Sequence, residues 1–346
     1  DLKVGADTLR DKTYVDDIVA TYKDNETRDK AADALISVLE YGQMTVKAVT
    51  KSGYPPDESV SVDGESVGLV GYSWKPVEDT ISLEIKPLYL EKSKRGKLPE
   101  IITGDIKEAL RPMLTKRVLL GKVMGVYDPI GLCTPLTSKL KVDLSVVIQA
   151  EGDWDDLLSE EDFLDNWVQN LMLIQSLRGI NFQRSVFCNP VDVNNGVELI
   201  VSTDASQVVA AACIHARMRL LTGEYVCSLV ASKSKLASKN TIPKSELIAC
   251  TMGCVLGHLV KINFEDSVKN IIYVTDSMVA LYWLHCDSRP MQTGIRNLVI
   301  ESRRFCQPSE WNHVESALNV ADIATRPESL PDIGPESEWQ CGKQWM

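Results

Sequence analysis

The chain has 346 residues, 44% of them hydrophobic and 25% charged, which is room for two or three domains with buried cores. With 37 basic and 48 acidic residues its net charge is −11, which argues against a protein that coats nucleic acid but not against a nuclease with clustered acids. Neither a stretch of about 18 apolar residues nor a charged-then-apolar leader is read, and nine cysteines without a CxxC pair fit reduced thiols, so a soluble intracellular protein is expected.

The first informative stretch is KTYVDDIVATY at 12–22. β-Branched and aromatic residues favour extended backbone, so Tyr14-Val15 and Ile18-Val19 are expected to pair as a hairpin with Asp16 and Asp17 at its tip. From the residues alone, those acids either cap a turn or offer paired carboxylates to a divalent metal. Residues 26–41 carry Ala31, Leu35, Val38 and Leu39 at helical spacing, with Gly42 as the stop. VGLVGYSWKP and TISLEIKPLYL then read as one strand each around a Pro-Val-Glu-Asp turn, and a basic, Gly-containing linker follows at 92–97.

From about 103 to 178 the pattern is mainly helical. MLTKRVLLGKVMGV precedes the breaker YDPIGLCTP, and SEEDFLDNWVQNLMLIQSL opens with Ser159 and acids suited to a helix N-terminus. From about 196 strands come first: VELIVSTDAS, VVAAACIHARM and EYVCSLVASK are three in succession, SELIACTMGCVLGHLVKI is a helix, NIIYVTD a strand and SMVALYWLH a helix. A helix at 295–306, a short strand at EWNHV and a closing helix through NVADIATR complete the order. Cys250, Cys254 and His258 share one helix face, but i,i+4 side chains march along a helix rather than converge, so they read as core. The basic stretches at 92–97, 114–122 and 233–244 read as solvated faces before binding strips.

Four carboxylates stand out by their places in this order. Asp204 lies at the end of the first strand of the second half, Glu246 in the first turn of a helix, Asp276 after the fourth strand and Asp322 near the start of the last helix. Each alone has an ordinary reading as a turn former or a helix-dipole partner. Together, on one side of a sheet, they can converge.

Asp–Glu–Asp–Asp on that topology resembles the ribonuclease H fold, and TIPKSELIA, WNHVESALNVADIATR and VYDPIGL resemble the pol polyprotein of BEL/Pao-type long-terminal-repeat retrotransposons. The resemblance spans almost the whole chain. It implies a mixed α/β architecture: a reverse-transcriptase palm remnant at 1–91 with the YVDD hairpin, a mainly helical thumb or connection at 92–190, an RNase H-like three-layer domain at 191–328 that folds alone, and a tail at 329–346 toward an integrase. Asp16 and Asp17 then match two of three polymerase metal ligands. The third is expected upstream of Asp1, so the chain by itself is expected not to extend a primer. A peptidase is the least favoured enzyme, because no Asp-Thr/Ser-Gly triplet is present.

For the RNase H part the resemblance implies hydrolysis of the RNA strand of an RNA/DNA hybrid with two Mg2+ ions, Mn2+ being a substitute. Asp204 bridges the ions, Glu246 and Asp276 hold the one nearer the leaving oxygen, and Asp322 the one that carries the attacking water. His313 matches a mobile loop histidine that assists proton transfer or product release. Ser206 and Asn319 are expected either to support the carboxylates from behind or to contact substrate, and Lys233, Lys244 and Arg326 are expected as phosphate contacts. The rest of the polyprotein, palm and fingers upstream and integrase downstream, is the expected protein partner. The implied location is a cytoplasmic virus-like particle or nucleoprotein, with the nucleus second. The competing class is an inactive or host-adopted copy that grips nucleic acid or protein without cutting.

Overall fold

The computed structural model describes residues 2–61, 63–86, 113–158, 161–186, 191–192, 195–237, 240–264, 267–329 and 332–346. The basic stretch at 92–97, the start of the expected helical region near 103, Ser159 and the expected boundary at residue 190 lie outside the described residues. The chain divides into two compact units, Asp1–Glu84 with Asn181–Arg184, and Ile85–Ile180 with Ser185–Met346.

In the first unit, α1 (Leu2–Lys12) packs on α2 (Asn25–Tyr41), whose N-cap Asp24 accepts from Thr27 N and which ends at Gly42. The helices approach closely because Gly5 has no side chain, and a Cβ there would lie 2.4 Å from Ala34 O. Between them β1 (Thr13–Tyr14) and β2 (Asp17–Ile18) pair with Thr13 opposite Ile18 and Tyr14 opposite Asp17. The hairpin is as expected but its turn is Val15-Asp16, one residue early, so Asp17 belongs to a strand. Val19 N bonds to Lys12 O at 3.0 Å, which extends this register and leaves room for only two residues in the turn.

VGLVGYSWKP is two strands rather than one. β3 (Val67–Leu69) and β4 (Tyr72–Lys75) fold back on each other because Val70 at φ +48° and Gly71 at φ +84° supply the left-handed pair that a tight hairpin requires. β5 (Thr80–Leu83) and β6 (Phe182–Gln183) extend this sheet in the order β3-β4-β5-β6.

Among the described residues the first helices of the second unit are α3 (Lys116–Met124), capped by the Thr115 hydroxyl, α4 (Thr134–Gln149) and α5 (Glu161–Ser176). YDPIGLCTP breaks the helix as expected: the Asp128 carboxylate accepts the N–H groups of Gly131, Leu132 and Cys133 and so seats the start of α4. The sheet consists of β7 (Val197–Ala205), β8 (Val209–Arg219), β9 (Tyr225–Leu236), β10 (Val268–Thr275) and β11 (Trp311–His313), ordered β11-β10-β7-β8-β9. β10 runs parallel to β7 and β11, while β7, β8 and β9 form an antiparallel meander. The helices α6 (Ile242–Phe264), α7 (Met278–His285), α8 (Thr293–Ser302) and α9 (Asp322–Thr325) follow the expected order. α9 is shorter than expected, because Pro327 disfavours helical backbone at Arg326.

α6 is long and apolar enough to cross a membrane by length and composition, yet here it is the core helix on one face of the sheet. Gly253 makes that contact possible: a Cβ there would lie 2.5 Å from Thr203 Cγ2 and 3.2 Å from Val201 Cγ1. Cys250 and Cys254 are fully buried in this layer, in keeping with the core reading. Side chains alternate across a strand, so Ser202, Cys213 and His215 face the other side, where all three are also fully buried.

That second face is covered from both ends of the unit. α4 packs on β9 and α9, and Trp339 and Gln340 of the short helix α10 (Glu338–Cys341) both donate to Leu132 O, at 2.9 and 2.8 Å. Ser232 N donates to Ile130 O at 2.8 Å. The helices expected as a separate thumb or connection and the residues expected as a tail therefore share one compact unit with the sheet. A division at 190/191 would strip that face of its cover.

Candidate active site

The edge-to-edge order of the sheet brings the ends of β7 and β10 side by side, with Thr203 opposite Thr275. The next residues are Asp204 and Asp276. α6 starts close by because the meander returns the chain to this end, and α9 follows from β11 through the loop 314–321. One cleft of about 540 Å3 is lined by Asp204, Glu246, Asp276 and Asp322, together with Ser206, Ser316, Thr325 and Arg326. All four expected carboxylates are thus brought together.

Each carboxylate has its own local donor. The Thr325 hydroxyl donates to Asp204, the Ser277 hydroxyl to Glu246 and the Ser316 hydroxyl to Asp276, while Arg326 Nε lies 2.8 Å from Asp322. Asp204 is only 7% exposed, and its carboxyl is pushed up to about 6, first by burial and then by Asp276 and Asp322, against the Thr325 hydrogen bond. Glu246 is raised too, first by burial and then by Asp276, with Ser277 opposing. Among the described residues no three His, Cys, Asp or Glu side chains form a ready-made ion site. The carboxylates face these separate donors instead. Their chemistry nevertheless suits a hard divalent cation: four oxygen donors crowd a partly buried cleft whose mutual repulsion a cation relieves.

The remaining expected residues separate. Ser206 lines the cleft but acts as a turn former, accepting Val208 N and Val209 N. Arg326 lines the cleft with its side chain 57% exposed. Asn319 is 1% exposed, which rules it out as a surface that substrate touches. Lys233 is exposed on β9 opposite Ala212, and Lys244, in the first turn of α6, lies beside Gly294; neither lines the cleft. His313 ends β11 opposite Thr275, exposed and outside the cleft lining, so it belongs to a strand rather than a mobile loop. Asp16 and Asp17 lie in the first compact unit, both exposed, beside Val15 at φ +54°, a strained conformation for a β-branched residue.

Residues that sequence reasoning missed are the hydroxyl donors. Ser277 carries a signal, a serine directly before the apolar run of α7, and it caps that helix by accepting Ala280 N. Thr325 stands three residues after Asp322, on the same side of a helical turn. Ser316 carries no local signal.

A five-stranded mixed sheet with carboxylates at two strand ends and two helix starts defines an RNase H-like α/β unit. Residues 115–277 match the model of the family of Pao retrotransposon-like RNaseH-like domains, in keeping with the resemblance to retrotransposon pol proteins. The match begins at Thr115, the cap of α3, and includes Asp204, Glu246 and Asp276. No curated protein matches the chain. Among solved structures, the N-terminal RNase H domain of a Mycobacterium tuberculosis protein, studied as a fusion with maltose-binding protein, is 11% identical, covering 38% of this chain and 99% of that one at a TM-score of 0.26. RNase H1 from the halophilic archaeon Halobacterium salinarum is 16% identical, with 36% and 89% covered and a TM-score of 0.23. A foamy viral protease-reverse transcriptase in complex with an RNA/DNA hybrid is 13% identical at a TM-score of 0.41; the match covers 95% of this chain and spans 37% of that one.

Proposed function

We propose that the four-carboxylate cleft hydrolyses the RNA strand of an RNA/DNA hybrid with the help of divalent cations, Mg2+ first. The observation that supports this most is that Asp204, Glu246, Asp276 and Asp322, from four separate parts of the chain, line one cleft. When bound there, such ions supply a nucleophile at neutral pH and neutralise charge building on phosphorus. Asp204, with Glu246, Asp276 and Asp322, would hold them. Thr325, Ser277 and Ser316 orient three of those carboxylates, and Arg326 offers a cation at the rim for a phosphate. Recognition rests on backbone shape and 2′-hydroxyls rather than on base sequence.

In this reading the first compact unit is the remnant of a reverse-transcriptase palm, with Asp16 and Asp17 two of its metal ligands. The rest of a pol polyprotein, in a cytoplasmic nucleoprotein, is its partner.

The test is cleavage of a labelled RNA strand in a hybrid duplex with Mg2+, beside Asp204→Asn. Cleavage is expected in the wild type and a loss of at least about 100-fold in the variant, the scale on which removal of an electrostatic stabiliser acts. Equal rates in the two would discard the site. Hybrid binding with no cleavage under any divalent cation would favour the inactive, binding-only alternative.

A further inference from the structure

We infer that Asn319 is a positioning residue that holds the walls of the carboxylate cleft in register for cation binding, an inference that rests on the hydrolytic reading above. Its carboxamide uses every polar atom. Nδ2 donates to Thr203 O at 3.0 Å and to Asp276 Oδ1 at 3.3 Å, and Oδ1 accepts Ala321 N at 3.2 Å. Those partners belong to three different parts of the cleft: Thr203 directly precedes Asp204 on β7, Asp276 follows β10, and Ala321 directly precedes Asp322 on α9.

One side chain therefore ties the carboxylate of Asp276 to the backbone of the residues directly before Asp204 and Asp322. Because it is 1% exposed, it reaches neither substrate nor solvent, and the interior gives these bonds more weight than water would. Both oxygens of Asp276 are thereby engaged, Oδ1 by Asn319 Nδ2 and Oδ2 by the Ser316 hydroxyl, which fixes the plane of that carboxylate. The loop is anchored from outside as well: Trp345 Nε1 donates to Leu318 O at 2.9 Å, one residue before Asn319. An amide suits this place better than a carboxylate, which would lose both donors and add a like charge beside Asp276. Groups that orient a cation's ligands change affinity or rate by about 10–100-fold when removed.

The experiment compares the full chain with Asn319→Ala and the milder Asn319→Ser. Three quantities are read: the Mg2+ concentration at half-maximal rise in melting temperature, the kcat and KM of hybrid cleavage, and hybrid affinity in Ca2+. The expected result is a folded variant whose Mg2+ midpoint rises about 10-fold or more, with kcat down 10–100-fold, partly recovered at high Mg2+, and hybrid affinity within about twofold. A Mg2+ midpoint within twofold of wild type in a folded variant would overturn the role while leaving the hydrolytic reading intact. Loss of folding in both variants would also overturn it, by making Asn319 a residue of the fold alone. A wild type that neither gains stability with Mg2+ nor cleaves would remove the hydrolytic reading, and this role with it.

Discussion

Thr325 donates its hydroxyl to the carboxylate of Asp204, across from a four-residue helix to the end of the central strand. Asp204 is buried and crowded by two further acids, so this bond is what keeps its charged form tolerable. Thr325→Val keeps shape and removes the donor. The expected cost is about 1–3 kcal/mol in urea unfolding at pH 8, the penalty for a buried group left unsatisfied, and Thr325→Ser should regain most of it. An unchanged midpoint in the valine variant would mean that water replaces the hydroxyl.

How much of this was legible beforehand follows from range. The acids were readable because strand ends and helix starts are local features of the sequence. The hairpin at Asp16 and Asp17 was readable in kind but not in register, because Val15 adopts a backbone that propensity disfavours. Nothing in the sequence around Asn319 says that it meets Thr203 and Asp276, 116 and 43 residues away. The cover of the second sheet face was hidden for the same reason, since Trp339 meets Leu132 across 207 residues.

That cover leads to a second prediction. Trp339 is fully buried and its indole is hydrogen-bonded, so Trp339→Ala should cost about 3–5 kcal/mol by lost packing and a cavity. A piece spanning 191–328 lacks both α4 and α10 and should show no cooperative unfolding transition. A piece spanning 113–346 should show one. Cooperative unfolding of the shorter piece, followed by circular dichroism in urea, would restore the 190/191 boundary.

His215 supplies the pH dependence. It is wholly buried, one ring nitrogen bonds to Trp339 O at 2.9 Å, and burial lowers its ring from 6.5 to about 4. Below pH 6.5 the unfolded chain takes up a proton that the folded chain refuses until about pH 4. Stability is therefore complete above about pH 6.5 and falls as the pH drops toward 4, by about 3 kcal/mol at most. His215→Gln cannot titrate and keeps an N–H for Trp339 O. The difference in unfolding free energy, wild type minus variant, should shrink across that window. A difference that stays flat from pH 7 to pH 4 would show that the ring is charged in the folded chain.

Arg326 separates two roles for one cation. Its Nε lies 2.8 Å from the Asp322 carboxylate, four residues earlier, yet the side chain is 57% exposed at the cleft rim. An exposed pair at this spacing contributes no more than about 0.5 kcal/mol, so Arg326→Gln should leave the melting temperature nearly unchanged. If the guanidinium meets a phosphate, the variant should bind hybrids more weakly in Ca2+ whatever their sequence. Its plot of log affinity against log salt should then lose about one counterion's worth of slope. If its charge is spent on Asp322 alone, the salt slope stays as in the wild type and only the Mg2+ midpoint moves. It would move downward, because Asp322 has then lost a competitor for the cation. The expected outcome is the reduced slope, since the exposed part of the side chain leaves donors free beyond the Asp322 bond.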